Sequence, residues 1–310
     1  RIMTIRPVIL TLDGVFDFQA LPSFTRSLHS VSTGVSRRFI LDLSKLGFCE
    51  PVALTCLAAG VHYLTLREQE CVEVLRPNSK EVNGYLERLG LFEMIGEKKL
   101  YPFQQHSPEG RFLELTRITS KAQVSPATSA MCEVFANGFE LEETSRTALD
   151  TILSELIENV FHHAQSPTGA YLCCQRYSDR ISASIVDLGE GIRVRLSDTE
   201  NLRKDVQRIG GPLRAAITPR ITSRPSHNSG YGLALTSGLA GQNTGHLQIY
   251  SQTDRLIQVG AEIVESVMPE RWPGTVITLD FFRGQSLDLS RLYKDIWPQA
   301  PEGDFDFLDN

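Results

Sequence analysis

Apolar residues at helical spacing mark the stretch 151–164, TILSELIENVFHHA. Its apolar positions are Ile152, Leu153, Leu156, Ile157, Val160 and Phe161. This spacing predicts a helix that buries one face. Glu155 and Asn159 lie one turn apart on the polar side, which His162 and His163 extend. We therefore expect this helix to form the wall of a polar site; a solvated surface helix is the alternative.

The first part of the chain alternates between strand and helix patterns. Strand patterns occur at 8–16, 38–43 and 71–75, and helical patterns at 51–66 and 81–95. Such alternation predicts a small α/β unit, which we assign to residues 1–97. Residues 98–110 contain two prolines and a glycine with little periodicity, so they are predicted to be a linker.

The second part predicts another α/β unit over residues 111–285. Strand patterns occur at 112–118, 169–177, 181–186, 247–250, 256–259 and 275–282. A further helix is predicted at 126–137, ended by Gly138, and Thr144 or Ser145 is placed to cap the helix that contains Glu155. Residues 286–310 are predicted to form a C-terminal helix and an acidic tail.

Composition narrows the class of protein. The 310 residues are 41% hydrophobic and 22% charged, as in ordinary globular proteins with about two domains. The net charge of −6 does not favour nucleic acid or anionic membranes, and no apolar run reaches a membrane span of about 20 residues. The six cysteines form no CxxC pair, so neither a zinc site nor a disulfide framework is indicated. We expect a cytoplasmic protein with reduced thiols.

Three glycine-containing motifs follow the Glu155 helix in order. They are SIVDLGEGI at 184–192, SGYGLAL at 229–235 and GTVITL at 274–279. Each motif alone is weak, because a glycine pair after a strand is usually a turn. Together with ELIENVFHHA they resemble the GHKL superfamily of ATP-binding domains, whose members include gyrase, a heat-shock chaperone, histidine kinases and mismatch-repair proteins. The resemblance covers about residues 110–285.

The resemblance implies an ATP site. Asp187 would accept a hydrogen bond from the adenine amino group, which guanine lacks at that position. Thr275 would close the adenine contact directly or through water. Glycines let the backbone approach the base, and a glycine-rich helix start presents N–H groups to phosphates. The matching positions are Gly189 and Gly191 in the first glycine box and Gly230, Tyr231, Gly232 and Leu233 in the second.

The Glu155 helix would supply the metal and the chemistry. Asn159 would give one oxygen ligand to Mg²⁺, whose other ligands are phosphate oxygens and water. Glu155 would orient or deprotonate the water or hydroxyl that attacks the γ-phosphate. A polar residue near the phosphates is expected at His163, although the sequence does not decide between His163 and His162.

Residues 193–228, between the glycine boxes, hold eight basic and three acidic residues. By resemblance this segment is the ATP lid, and we expect a mobile lid whose cations find partners only when phosphates are bound. A solvated charged loop is the alternative reading of this polarity.

The N-terminal unit resembles a STAS domain, the fold of anti-anti-sigma factors. The matching sequence segments are FILDLSKLGF at 39–48 and NGYLERLGLFEMI at 83–95. In that family the loop after the LDLS strand commonly carries a phosphorylated serine. Glu50 stands at that place here, and the nearest hydroxyl belongs to Thr55, so we expect a docking or dimerisation module instead.

The expected fold is therefore a STAS-like α/β domain followed by a GHKL (Bergerat-type) two-layer α/β sandwich, with helices on one face of a mixed sheet. The expected function is Mg-ATP binding with transfer of the γ-phosphoryl group to Ser or Thr of a partner protein, for which a STAS or sigma-regulator type protein is the candidate. An ATPase-driven dimerisation switch and a nucleotide-gated binding module without turnover are the alternatives. A homodimer is compatible with each of them.

Overall fold

The computed structural model describes residues 6–98, 110–159, 165–221, 231–285 and 287–296. The chain is a mixed α/β protein with several sheets. Most of the predicted linker, the end of the predicted wall helix, part of the second glycine box and the predicted tail lie outside the described residues.

The N-terminal unit combines parallel strands with four helices. A three-stranded parallel sheet has the order β1-β3-β5, and β2 pairs with β4. The elements are β1 Val8–Thr11, β2 Gly14–Phe16, α1 Leu21–Thr33, β3 Arg38–Asp42, β4 Leu46–Cys49, α2 Pro51–Leu66, β5 Glu70–Leu75, α3 Lys80–Arg88 and α4 Leu91–Met94.

The second unit is built on one large sheet. Its elements are β6 Phe112–Ile118, α5 Val124–Phe139, α6 Glu143–Asn159, β7 Ala170–Arg176, β8 Arg180–Asp187, α7 Ile192–Arg195, α8 Glu200–Ile209, α9 Pro212–Ala216, α10 Gly232–Asn243, β9 His246–Ser251, β10 Asp254–Val259, β11 Glu262–Val267, β12 Thr275–Phe282 and α11 Leu289–Ile296. The sheet has seven strands in the order β11-β10-β9-β12-β8-β7-β6.

Every pairing in the seven-stranded sheet is antiparallel, so the expectation of a mixed sheet is wrong. Strands β8 and β9, which the helical crossover α7–α10 connects, do run in the same direction. Strand β12 lies between them and is antiparallel to both. Because β12, which comes last in the sequence of strands, lies between β8 and β9, these two strands do not form the parallel pair that the crossover would otherwise have produced.

Both faces of this sheet are covered, whereas helices were expected on one. Helices α5, α6, α10 and α11 pack on one face around Leu172, Ile185 and Ile277. Helix α2 packs on the other face against Tyr171 and Val186. Because successive strand residues point to opposite faces, β7 sends Leu172 to one core and Tyr171 to the other.

Helix α2 joins the N-terminal unit to the sheet. It begins and ends where its sequence pattern predicts, and most of its residues are buried. A helix that is apolar on most sides needs partners all round. Two polar contacts fix its position: Thr55 Oγ1 lies 2.9 Å from Ser184 Oγ, and His62 Nδ1 lies 2.6 Å from the Tyr171 hydroxyl.

Three predicted helix boundaries are wrong. The helix expected over 81–95 breaks into α3 and α4 at Gly90, whose φ is +82°. Helix α5 continues past Gly138, and Glu140 adopts the left-handed conformation (φ +55°) that ends it. Helix α6 begins at Glu143, so Thr144 and Ser145 lie in its first turn rather than at its cap.

Candidate functional site

Three polar residues lie side by side where strands β8 and β9 end and strand β12 begins. Thr275 opens β12 and pairs with Asp187 of β8 on one side and with Ser251 of β9 on the other. Alternation along the strands puts all three on the face that α6 covers. Thr275 is 6% exposed, Asp187 is 7% exposed and Ser251 is fully buried. The three form a polar row that borders the apolar core and is shielded from bulk solvent.

Within this row the hydroxyl groups contact each other and the backbone. Ser251 Oγ lies 3.0 Å from Thr275 Oγ1 and accepts a hydrogen bond from the Ile192 N–H at 2.9 Å. The Asp187 carboxyl accepts from the Gly189 N–H at 2.7 Å. Burial raises the pKa of Asp187 to about 7, and backbone hydrogen bonds from Gly189 and Thr275 oppose that rise. A carboxyl group in this state can accept or donate a hydrogen bond near neutral pH.

Tight backbone packing fixes Asp187. Gly274 has a φ of +134°, and a Cβ there would lie 2.2 Å from the Asp187 carbonyl oxygen. The same carbonyl accepts from the Trp272 indole N–H at 3.2 Å. Gly191 has a φ of +81°, and a Cβ there would lie 2.6 Å from Gln252 Cγ. The glycine box therefore has a structural reason for Gly191, since the Gln252 side chain fills the adjacent space.

The start of α10 lies against Glu155 of α6. A Cβ on Gly232 would be 2.8 Å from both Cβ and Oε2 of Glu155. Helix α10 leads directly into β9 and runs back along it, so the N-terminus of α10 lies toward the Ser251 end of the sheet. A carboxylate and a helix N-terminus thus meet on the face that carries Asp187.

The other residues of the second glycine box are placed as follows. Tyr231 precedes α10, is 4% exposed, and its hydroxyl accepts from Arg220 Nε at 2.6 Å. Leu233 packs against the core under the sheet. Gly230 lies outside the described residues.

Asn159 is the last described residue of α6, one turn beyond Glu155, and both are half-buried. When the described chain resumes, Ser166 Oγ accepts from the Leu188 N–H at 3.2 Å, next to Asp187. Ser166 thereby attaches the start of this next described segment to the end of β8 that carries Asp187. His162 and His163 lie outside the described residues.

The described part of the predicted lid is largely helical. Six of its cations contact protein groups, so the expectation that they find partners only when phosphates are bound is wrong for these six. Arg193 pairs with Asp254, whose side chain is 1% exposed. Four of the six pair with carboxylates, Arg214 donates to a backbone carbonyl, and Arg220 donates to a tyrosine hydroxyl. The four that pair with carboxylates are Arg193, Arg195, Lys204 and Arg208. Some of these basic side chains, such as Arg193 and Arg214, therefore attach the segment to the sheet.

Sequence reasoning missed two members of the site. Ser251 closes the alternation of Leu247 and Ile249 at the end of β9, just as Thr275 opens the alternation of β12, so the same pattern would have found it. Trp272 carries no local signal, because its contact with Asp187 depends on how β12 inserts between two other strands.

No protein-family model and no curated protein matches this chain. Among the described residues, no helix combines the length and hydropathy needed to cross a bilayer. The site must therefore be interpreted from its own chemistry: a buried carboxyl at the end of a strand, two hydroxyls beside it, and a carboxylate at a helix start.

Proposed function

We propose that this chain is a cytoplasmic GHKL-type protein that binds Mg-ATP beside Asp187 and transfers the γ-phosphoryl group to Ser or Thr of a partner protein. The observation that carries the proposal is the buried row of Asp187, Thr275 and Ser251 on the face where Glu155 meets the start of α10. The STAS-like reading of residues 1–97 belongs to the same proposal, and the partner would be a protein of the STAS or sigma-regulator type.

Adenine is the base that this row would recognise. A carboxylate at Asp187 accepts from the exocyclic amino group, whereas guanine presents a carbonyl oxygen at that position and opposes the carboxylate. Thr275 Oγ1 lies in the same row and offers a second polar contact. Desolvation strengthens such contacts, because no water competes for the buried carboxyl.

The other end of the site suits phosphates. The N–H groups at the start of α10 are an anion-binding arrangement, and this helix has twelve residues. Asn159 would hold Mg²⁺, which supplies charge neutralisation of the phosphates when bound. Glu155 lies half-buried at the same helix start, where it can take a proton from an attacking hydroxyl.

Incubation with γ-labelled ATP tests the proposal. Label on a protein of the native host extract supports phosphoryl transfer, and label released as free phosphate supports the ATPase switch instead. Glu155→Gln should reduce either reaction by roughly 10²–10⁴-fold while ATP still binds, as for loss of a general base. Glu158→Gln, on the same helix, should leave turnover unchanged. Bound ATP with no turnover would favour the binding module, and no ATP binding at all would overturn the proposal.

A further inference from the structure

A cavity of about 240 Å³ lies on the sheet face opposite the candidate ATP site. Gln248, Thr278 and Asp280 form its floor, and they alternate along β9 and β12 with apolar residues of the α6 core. Glu50, which precedes α2, and Arg180, which opens β8, form its walls. The cavity is therefore built jointly by the N-terminal unit and the sheet.

Charged groups connect these walls. Arg180 Nη2 lies 2.7 Å from Glu50 Oε1, and Arg180 Nε lies 3.8 Å from Asp280 Oδ1. His246 Nδ1 lies 3.6 Å from Asp280 Oδ2. Asp17 lines the same cavity, so three carboxylates face one arginine among the described lining residues. Acidic side chains outnumber basic ones in this lining even when His246 is counted as a base, so the cavity favours a cation.

The cavity also has an excess of hydrogen-bond acceptors. Asp280 Oδ1 and Gln248 Oε1 are shielded from solvent, and within the described part of the chain neither has a hydrogen-bond partner. A shielded oxygen without a hydrogen bond is costly to bury, because it has lost its contact with water. The nearest cation to Asp280 Oδ1 that the structure describes is Arg180 Nε at 3.8 Å, which is too far for a hydrogen bond. The last torsion of an Asp or Gln side chain is soft, so a small rotation would present either oxygen to a donor inside the cavity.

We propose that this cavity binds a small organic cation carrying a primary ammonium group. An ammonium offers three donors and a positive charge, which match the two shielded acceptors and the excess of carboxylates. Its carbon atoms would lie near the rings of Phe18 and Phe282, which line the cavity. The volume is below the usual 300–1,000 Å³ of ligand sites, so it suits a molecule of a few heavy atoms.

A metal ion is the less suitable occupant. Among the described residues, no group of three or more His, Cys, Asp or Glu side chains is arranged to hold a metal ion. The proposal does not depend on ATP binding, because the cavity and the Asp187 row lie on opposite faces of the sheet.

Titration of ethanolamine into isotope-labelled protein, at constant ionic strength, tests the proposal. The amide signals of Ser182, Gln248 and Thr278 should shift and saturate at millimolar concentration, as expected for so small a ligand. Ethylene glycol, the uncharged molecule of the same shape, should produce no saturable shift. Absent shifts would show that neither compound binds in the cavity, and equal shifts with both would show that the ammonium group is not recognised. Either result would overturn the proposal.

Two substitutions locate the site. Asp280→Asn should weaken ethanolamine binding at least about tenfold, because a charge-assisted hydrogen bond is lost. Asp179→Asn is the matched control, since Asp179 also contacts Arg180, at 3.5 Å, but is 60% exposed and does not line the cavity. If Asp280→Asn does not fold, Gln248→Leu serves instead, and unchanged affinity in that variant would contradict the proposal.

Discussion

Asp187 shows how one buried residue links stability to recognition. Burial raises its pKa from 3.8 to about 7, so between these values the folded protein keeps a proton that the unfolded chain releases. The free energy of unfolding should therefore fall as pH rises from about 4 to 7, by at most on the order of 4 kcal/mol. Asp187→Asn should flatten that slope in urea-unfolding measurements, and an unchanged slope would contradict the assignment.

The same titration predicts the pH dependence of nucleotide binding. The deprotonated carboxylate accepts a stronger hydrogen bond from the adenine amino group than the protonated carboxyl does, so ATP affinity should rise as pH increases from 6 to 8. The ATP affinity of Asp187→Asn should rise less over this pH range. Ionisation of the ATP phosphates affects both proteins equally, so the difference between their two pH profiles reports Asp187 alone. GTP should stabilise neither protein, whereas ATP at a hundredfold excess over Kd should stabilise the wild type by about 2.7 kcal/mol. Equal melting shifts with both nucleotides would remove Asp187 from this role.

At the residue scale, local patterns predicted which side chains share a face but not what surrounds them. The sequence SIVD predicts that Asp187 lies at the end of a strand, and the sequence GTVITL predicts that Thr275 lies at the start of one. The contact between Glu155 and Gly232 could not be read from spacing, because the two residues lie on helices far apart in the chain. The partners of the lid arginines were missed because ion pairs between distant segments have no local pattern.

At the scale of an element, the start of α10 offers a matched pair of glycines. Gly232→Ala would place a Cβ 2.8 Å from Glu155, whereas the nearest atom to a Cβ on Gly241, in the same helix, is 4.0 Å away. Alanine favours a helix over glycine by about 1 kcal/mol, so Gly241→Ala should be neutral or stabilising. Gly232→Ala should displace Glu155 and so reduce turnover, and its methyl group at the start of α10 should also hinder the phosphates and weaken ATP binding. Equal behaviour of the two variants in binding and melting experiments would show that the close approach has no role.

Helix α7 is joined to β10 by the ion pair between Arg193 and Asp254. Arg193→Ala would leave the Asp254 carboxylate buried without its cation, at a cost of about 2–3 kcal/mol because Arg193 itself is half-exposed. Amide exchange in α7 and α8 should accelerate in this variant. Arg208→Ala is the control, since its pair with Asp205 is exposed and contributes little. Unchanged exchange in Arg193→Ala would mean that other contacts attach this segment.

Some elements were predicted to the residue, whereas others were missed. The bounds of α2, β6 and β12 match their sequence patterns. Strand β11 was missed because it is an edge strand with exposed residues on both faces, so it lacks alternation. Helix α1 was missed although Leu21, Phe24, Leu28 and Val31 have helical spacing. The order of the strands has no local signature, since the insertion of β12 is decided by tertiary packing.

At the scale of the whole molecule, the N-terminal unit is attached to the sheet that carries the candidate site. Its core continues without a break into Tyr171, Val186, Tyr250 and Trp272. The N-terminal unit therefore shares its core with the sheet, and the outer face of α2 would be exposed without that sheet. Each buried Leu or Phe side chain contributes about 1.5–3 kcal/mol, so separating the two units would be costly.

This shared core predicts that both units unfold together. In native-state hydrogen exchange with added urea, the most protected amides of β3 and β12 should converge on one free energy of opening. Thr55→Val should lower both equally, by about 1–3 kcal/mol, because it leaves the buried Ser184 hydroxyl without its partner at 2.9 Å. Thr65→Val, the same change at an exposed position of α2, is the control. A lower opening energy for β3 alone would show that the N-terminal unit opens by itself, and it would then be free to act as the docking module that its sequence suggests.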